Sequence, residues 1–305
     1  MPLPVYVADA DVYVVDVWSA LMPGMIASYV LPLPGGGAAV VDPGPASSAD
    51  FLAGSLEQLG LRLEAVIVTH VHLDHAGAAG HLAEENPGVK VYVHPRGAPH
   101  LADPTRLWES SRQVLGDMAD VYGKPKPVPR ESLVETSDGG EIPLPGGRRL
   151  VVLHTPGHAS HHQSIYDPQR GVLFTGDSAG VILETAAGTA RAPTTPPRLK
   201  PKLYLESLER MRRLEPGMVA PTHFGVWPEG ARELEVQVEV FRRWMDALAE
   251  IHARGVRDPV QASRLLAARD GEASKLYKAG GYIRAFFLYE TVWGMLDAIE
   301  RGEWP

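Results

Sequence analysis

A chain of 305 residues with 45% hydrophobic and 22% charged side chains has the composition of a folded globular protein, which excludes extended disorder. Its 29 basic and 37 acidic side chains give a net charge of −8. That balance argues against nucleic acid as a partner, because phosphate binding draws its affinity from Lys and Arg. No cysteine is present, so disulfides, thiolate metal sites and thiol nucleophiles are excluded together, and the 12 histidines become the groups to follow.

The first residues carry Asp9, Asp11 and Asp16 and no basic stretch, unlike a secretory leader. Residues 17–41 are uncharged, yet Pro23, Pro32, Pro34 and the run Gly35-Gly36-Gly37 do not suit a membrane helix. Two strands joined by a turn are expected there, in a cytoplasmic protein. Short valine-rich runs bounded by Gly, Pro, Asp or His predict strands over 12–17, 28–33, 38–41, 65–69, 89–93, 149–154, 172–175 and 218–221. Between them, helical spacing covers 48–59, 77–85 and 203–214. After Trp227 the strand signal stops, and helices are expected over 229–254, 259–268 and 282–301. The chain thus divides into a body, 1–228, and a helical extension, 229–305, packed on it. Trp244, Phe286, Phe287, Tyr289 and Trp293 are expected in the core of that extension.

The body contains an internal echo. Val41-Asp42 follows one strand, and a helix leads to a second strand ending in Thr69-His70. Gly176-Asp177 follows another, and a helix leads to Thr222-His223. Each half reads strand, Asp, helix, strand, Thr-His.

Thr69-His70-Val71-His72-Leu73-Asp74-His75 is the most informative segment. His70, His72 and Asp74 share one parity and project to one side of an extended chain. His75 joins them only if the chain turns, which Ala76-Gly77 permits. Four potential ligands within six residues, directly after an apolar strand, point into one place. Three later segments repeat a ligand type just past a strand: His154-Thr155-Pro156-Gly157-His158, Thr175-Gly176-Asp177 and Thr222-His223.

In this order, the motifs resemble those of the metallo-β-lactamase superfamily, over the stretch from Val12 to Gly225. The resemblance implies an α/β fold, a four-layered αββα sandwich with its site at one edge of the sheets. It implies that His70, His72 and His158 hold one metal, that Asp74, His75 and His223 hold a second, and that Asp177 bridges both. Two divalent ions follow, zinc first, with iron or manganese compatible with the same imidazole and carboxylate donors. The implied nucleophile is a hydroxide shared by the metals, with Asp74 as the catalytic group that orients it and passes its proton onward. Asp42 falls where the family has a buried aspartate that braces the 70–75 loop. His154 reads as a satisfied strand-end histidine, His161 and His162 lie close enough to line a pocket, and His81, His94, His100 and His252 receive no role.

Asp177 stands where antibiotic-hydrolysing members usually carry Cys or Ser, which argues against a true β-lactamase. The form His-Thr-Pro-Gly-His with Thr-Gly-Asp is similar to the glyoxalase II branch, although the Asn-Pro-Phe-Leu-Arg pattern of that branch's C-terminal region is missing. The expected function is therefore hydrolysis of an ester, thioester or lactone in a small-molecule substrate. A mononuclear iron oxidoreductase similar to persulfide dioxygenases is the alternative, with an RNA-processing nuclease behind it. No membrane or nucleic-acid partner is expected, and a homo-oligomer is compatible with the sequence. Two specificity elements are expected as well. One is a mobile apolar flap over 18–26. The other is a pocket wall from the extension, where Tyr277, Lys278, Tyr282 and Arg284 surround Gly280-Gly281.

Overall fold

The computed structural model describes residues 3–18 and 20–304. One sheet holds β1 (Val5–Val7), β2 (Val12–Asp16), β3 (Ala27–Leu33), β4 (Gly37–Val41), β5 (Arg62–Ile67), β6 (Lys90–Val93) and β7 (Leu133–Glu135) side by side in chain order. Pairing is antiparallel from β1 to β4 and parallel from β4 to β7. In the second sheet, β8 (Glu141–Pro143), β9 (Arg149–His154), β10 (Gln163–Asp167) and β11 (Val172–Phe174) are antiparallel neighbours. A separate hairpin follows, β12 (Val181–Thr185) with β13 (Gly188–Ala192). Then β14 (Met218–Ala220) returns parallel to β11, and β15 (Trp227–Pro228) closes the edge.

The helices of the body are α1 (Ala49–Gln58), α2 (Leu73–Ala76), α3 (Ala79–Glu85), α4 (Ala98–Ala102), α5 (Thr105–Leu115), α6 (Asp117–Tyr122) and α7 (Pro201–Arg212). Those of the extension are α8 (Gly230–Ala253), α9 (Pro259–Ala267), α10 (Gly271–Ala279), α11 (Gly281–Arg284) and α12 (Thr291–Glu300), with a π-helical turn, Ala285–Glu290, before the last. None of the described helices is long and apolar enough to cross a membrane.

Strand alternation builds the layers. Successive side chains leave a strand on opposite faces, so a strand covered on both sides must be apolar throughout. In β5, Ala65 and Ile67 face a core shared only by the two sheets, together with Leu150, Ile165 and Phe174. Val66 and the following Val68 face the other way, into a core shared with Leu52 of α1 and Leu82 of α3. The result is the expected αββα sandwich. Leu173 and Val219 on the second sheet belong to the same outer core as Tyr204 of α7 and Phe241 of α8, so this core runs unbroken into the extension. The extension is fastened at its polar points too. Arg191 of β13 grips Glu233 of α8 through two nitrogens, each 2.6 Å from a carboxylate oxygen. Trp244 is fully buried and donates its Nε1–H to Asp270, whose carboxylate also caps α10.

All eight expected strands are present, and two of the unexpected elements, β10 and α5, have physical reasons of their own. The start of β10 is polar, but Gln163 satisfies itself by donating to the Val68 carbonyl at 2.8 Å and accepting from Thr136. α5 buries none of its residues fully, and its Leu107, Trp108 and Leu115 only rest against the core. Of the aromatic residues expected in the core of the extension, Trp244 and Phe287 are buried, whereas Trp293 is 45% exposed.

Candidate metal centre

β5 ends at Ile67, and the chain then bends at Thr69 and reaches an extended His72 before α2, which brings the His75 ring to 4.0 Å from that of His70. The loop after β9 delivers His158, the loop after β11 delivers Asp177, and the loop after β14 delivers His223. All seven sequence-expected residues meet in one cluster. Its donor atoms fall into overlapping groups: His70, His72 and His158; His70, His75 and Asp177; Asp74, His75 and His223. Two glycines make the convergence feasible. At Gly157 (φ +138°) a Cβ would lie 2.4 Å from the Tyr204 Cα, and at Gly176 (φ +52°) it would lie 2.6 Å from the His162 ring.

Within the cluster, His72 Nδ1 lies 2.9 Å from His70 Nε2 and 3.2 Å from His158 Nε2. Asp74 Oδ2 lies 3.5 Å from His223 Nε2 and 3.7 Å from His75 Nε2. Asp177 spans both groups: its Oδ1 is 3.3 Å from His75 Nε2, and its Oδ2 is 3.5 Å from His158 Nε2. The outward ring nitrogens are tied down. His158 Nδ1 donates to the Thr194 carbonyl at 2.9 Å, His223 Nδ1 to the Met25 carbonyl at 2.7 Å, and His75 Nδ1 to Asp42 at 2.9 Å. His70 Nδ1 donates to Thr69 Oγ1 at 3.1 Å, and that hydroxyl donates to Asp42. In the neutral ring, each such bond leaves Nε2 as the lone-pair nitrogen, aimed inward.

Asp42 is the hub behind this arrangement. Fully buried, it accepts from the Thr69 amide, the hydroxyls of Thr69 and Thr222, and His75. That geometry is the brace expected of Asp42. His162, left without a definite role by the sequence, accepts from the Asp177 amide at 3.0 Å and meets Thr155 and Ser178 through Nδ1. The carbonyls of Met25 and Thr194 carry no side-chain signal at all, and sequence reasoning had no means to find them.

The electrostatics are divided. Burial first, then mutual repulsion, pushes the His70 and His72 rings well below the usual imidazole range, and burial lowers His158. Burial also opposes a proton on His75, but Asp177, Asp74 and Asp42 outweigh it and raise His75 to about 10. For Asp74, burial is outweighed by His75 and His223, which hold the carboxyl below its usual range. The site thus combines imidazoles that resist protonation with carboxylates that demand positive charge.

The cluster lies in the wall of a cavity of ≈ 820 Å³. α5 supplies Leu107 and Ser110 to it, and the extension supplies Tyr282, Phe286, Glu290 and Trp293. Tyr282 Oη is 2.9 Å from Tyr122 Oη. Burial, then the charge of Asp74 and Asp177, pushes Glu290 up to about 7. Tyr282 therefore stands where the sequence reading put it, whereas Tyr277, Lys278 and Arg284 do not border the cavity. His161 and His100 do border it, the latter against expectation; His154 packs instead on His94, with ring centroids 4.1 Å apart. The described residues of the apolar segment 18–26, expected as a flap, do not cover the cavity: its ends are packed, while Leu21 near its tip is 58% exposed. Trp18, Met25 and Ile26 are buried, Trp18 lies against Tyr122, and no described residue of the segment borders the cavity; Ser19 lies outside the described residues. Its contribution is the Met25 carbonyl that orients His223.

The sequence profile of the metallo-beta-lactamase superfamily matches residues 21–223. The chain belongs to that superfamily. Among superfamily relatives, a metallo-beta-lactamase fold-containing protein of Sulfurisphaera tokodaii is 36% identical over 169 residues, 54% of this chain and 62% of that protein. A hydroxyacylglutathione hydrolase of Haemophilus influenzae is 32% identical over 140 residues, 46% of this chain and 60% of that protein. The crystal structure of the first of these, ST1585, under the organism name Sulfolobus tokodaii, matches with a TM-score of 0.60 and 31% identity, covering 72% of this chain and 80% of that one. The chain spans about half to six tenths of the length of the curated relatives it matches.

Proposed function

We propose that this superfamily member is a hydrolase of ester, thioester or lactone bonds that works with two divalent metal ions, zinc first among the candidates. The observation that carries the reading is Asp177, whose two carboxylate oxygens face two different sets of histidines in one buried cluster. His70, His72 and His158 would hold one ion, Asp74, His75 and His223 the other, and Asp177 both. The residues fit such ions on their own chemistry. His75 Nε2 and Asp177 Oδ1 are buried without a hydrogen-bond partner, at about 1–3 kcal/mol each, unless a cation lies between them. Bound there, divalent ions would supply Lewis acidity toward a carbonyl oxygen and bring the pKa of water to about 7.

The side chains do the rest. Asp74 borders the cavity and keeps 19% of its side chain exposed, which suits it to take a proton from attacking water and return it to the leaving group. Asp42, Thr69 and Thr222 keep His75 and His70 in the tautomers that point Nε2 inward. The cavity's mixed lining suits a small molecule with a polar reacting centre and an apolar portion. Relatives named hydroxyacylglutathione hydrolase support a thioester within that class. Metal analysis of protein purified without added metal, run beside a panel of thioesters, esters and lactones, tests the reading. About two ions per chain, with hydrolysis lost on chelation and restored by zinc, is expected. One iron per chain with oxygen consumption would overturn it in favour of a mononuclear oxidoreductase.

A further inference from the structure

The cavity carries one acidic group that the proposed reaction does not use. Glu290 ends the π-helical turn and borders both the main cavity and an adjoining side pocket of ≈ 280 Å³. Among the described residues its carboxyl has no hydrogen-bond donor and no Lys or Arg acting on it; its charged neighbours are Asp74, Asp177 and His223. Glu290 is half-buried and its carboxyl borders the cavity with no basic side chain of the described chain paired to it, so a cation entering there meets an unpaired carboxyl. The other walls of the side pocket are aromatic and aliphatic: Phe286, Tyr289 and Trp293, with Val114 and Leu115. Tyr289 already has the Arg284 guanidinium 5.9 Å from its ring centroid, and Phe286 stacks one face on Tyr282 at 4.0 Å, which leaves the half-exposed Trp293 ring and the other face of Phe286 for an incoming group.

Aromatic faces attract cations and disfavour anions. A single carboxylate among rings is a poor site for a metal ion, which would need several oxygen or nitrogen donors. It suits an organic ammonium, whose charge meets Glu290 while its carbon substituents lie on the rings. We propose that the substrate carries an organic ammonium group, held by Glu290, Trp293 and Phe286 in the side pocket while its scissile bond lies at the His/Asp cluster. The proposal rests on the hydrolytic reading of that cluster, and the net charge of −8 favours approach of such a substrate.

Paired esters test it on the metal-loaded full chain. Butyrylcholine and 3,3-dimethylbutyl butyrate share acyl group and shape and differ in the positive nitrogen. Wild-type protein should favour the choline ester in kcat/KM by about tenfold, and Glu290→Gln should bring the ratio close to one. Trp293→Leu, at a half-exposed position that folding tolerates, should lower the same ratio. A wild-type ratio of one or below, or a ratio unchanged in Glu290→Gln, overturns the proposal. Calorimetric titration with benzyltrimethylammonium reads the subsite without turnover: saturable binding that weakens about tenfold in Glu290→Gln supports it, and absent or equal binding overturns it. If benzyltrimethylammonium binds in this way while neither these esters nor any thioester or lactone of the panel turns over, the hydrolytic reading fails and the ammonium subsite stands.

Discussion

Asp42→Asn tests the architecture of the site without touching the cluster itself. The two side chains have the same shape, so no cavity opens. What changes is the acceptor inventory. Asp42 Oδ1 accepts from the Thr69 amide at 2.7 Å, and Oδ2 accepts from Thr69 Oγ1 at 2.7 Å, Thr222 Oγ1 at 2.6 Å and His75 Nδ1 at 2.9 Å. An asparagine oxygen can keep the first bond, but its amide nitrogen then faces three donors. The two threonine hydroxyls can rotate; the His75 N–H cannot. With one bond to a charged acceptor lost and two weakened, the expected destabilisation is about 3–5 kcal/mol. At about 2 °C per kcal/mol for a chain of this length, Tm should fall by about 6–10 °C. A second effect follows. Asparagine drives the His75 proton from Nδ1 to Nε2, the atom that faces Asp74 and Asp177, so zinc affinity should drop about 10–100-fold. Urea unfolding in EDTA measures the first effect free of metal, and competition with a chromophoric zinc chelator measures the second. Unfolding free energy within about 0.5 kcal/mol of wild type, together with unchanged zinc affinity, would refute the brace.

Further outcomes follow from the same geometry. Asp177→Ala should lower bound metal and abolish hydrolysis together, because both groups of ligands lean on one carboxylate; retention of two ions with full activity would contradict the shared role. Asp74→Asn should keep part of the metal and lose turnover, as read by metal content beside kcat. Tyr282→Phe removes the 2.9 Å bond to Tyr122 in the cavity wall and should raise KM about 2- to 10-fold at constant metal content, whereas Lys278→Ala, away from the cavity, should leave KM unchanged. Gly157→Ala would drive a Cβ into the Tyr204 backbone and push His158 out of place, so metal content should fall even in protein that remains folded by circular dichroism.

How much of this was legible in the sequence depends on which atoms carry the information. The end of strand β5, from Ala65 to Ile67, announced itself because both faces are buried there and therefore apolar, and the ligands announced themselves because histidine is a costly residue to crowd at a strand end. The sandwich and the seven converging side chains were accessible for that reason. β10 was not, because its buried Gln163 and Ser164 are satisfied by hydrogen bonds that leave no periodic mark. Neither was α5, whose apolar side chains are at most half-buried, Trp108 resting on the core while Leu107 and Leu115 also border the cavity. The segment 18–26 misled for a related reason. Its hydrophobicity fits a flap as well as a buried connection, and only packing distinguishes them: Trp18 found Tyr122 as a neighbour. The backbone carbonyls of Met25 and Thr194, which orient two histidines, belong to no side chain and left no trace to read.

The internal echo gives these observations a common origin in the topology. In each half, a strand ends in an aspartate and pairs in parallel with a strand that ends in Thr-His: β4 with β5, and β11 with β14. Parallel pairing through a crossover helix brings the carboxyl ends of both strands to the same edge, so each half delivers one aspartate, one threonine and at least one histidine there. Stacking the two sheets then superposes the two deliveries. The halves have diverged in what the aspartate does. Asp42 faces backward and collects the hydroxyls of Thr69 and Thr222, one from each half, so a single buried carboxylate ties the two sheets together directly behind the histidines. Asp177 faces forward, its amide held by His162 and its oxygens turned to the two histidine groups. One aspartate fixes the relative position of the sheets, and the other lies at the seam between them. A shift of one sheet past the other would therefore break the Asp42 hydrogen bonds before it could separate the ligands, which is how a site assembled from four loops can stay in register.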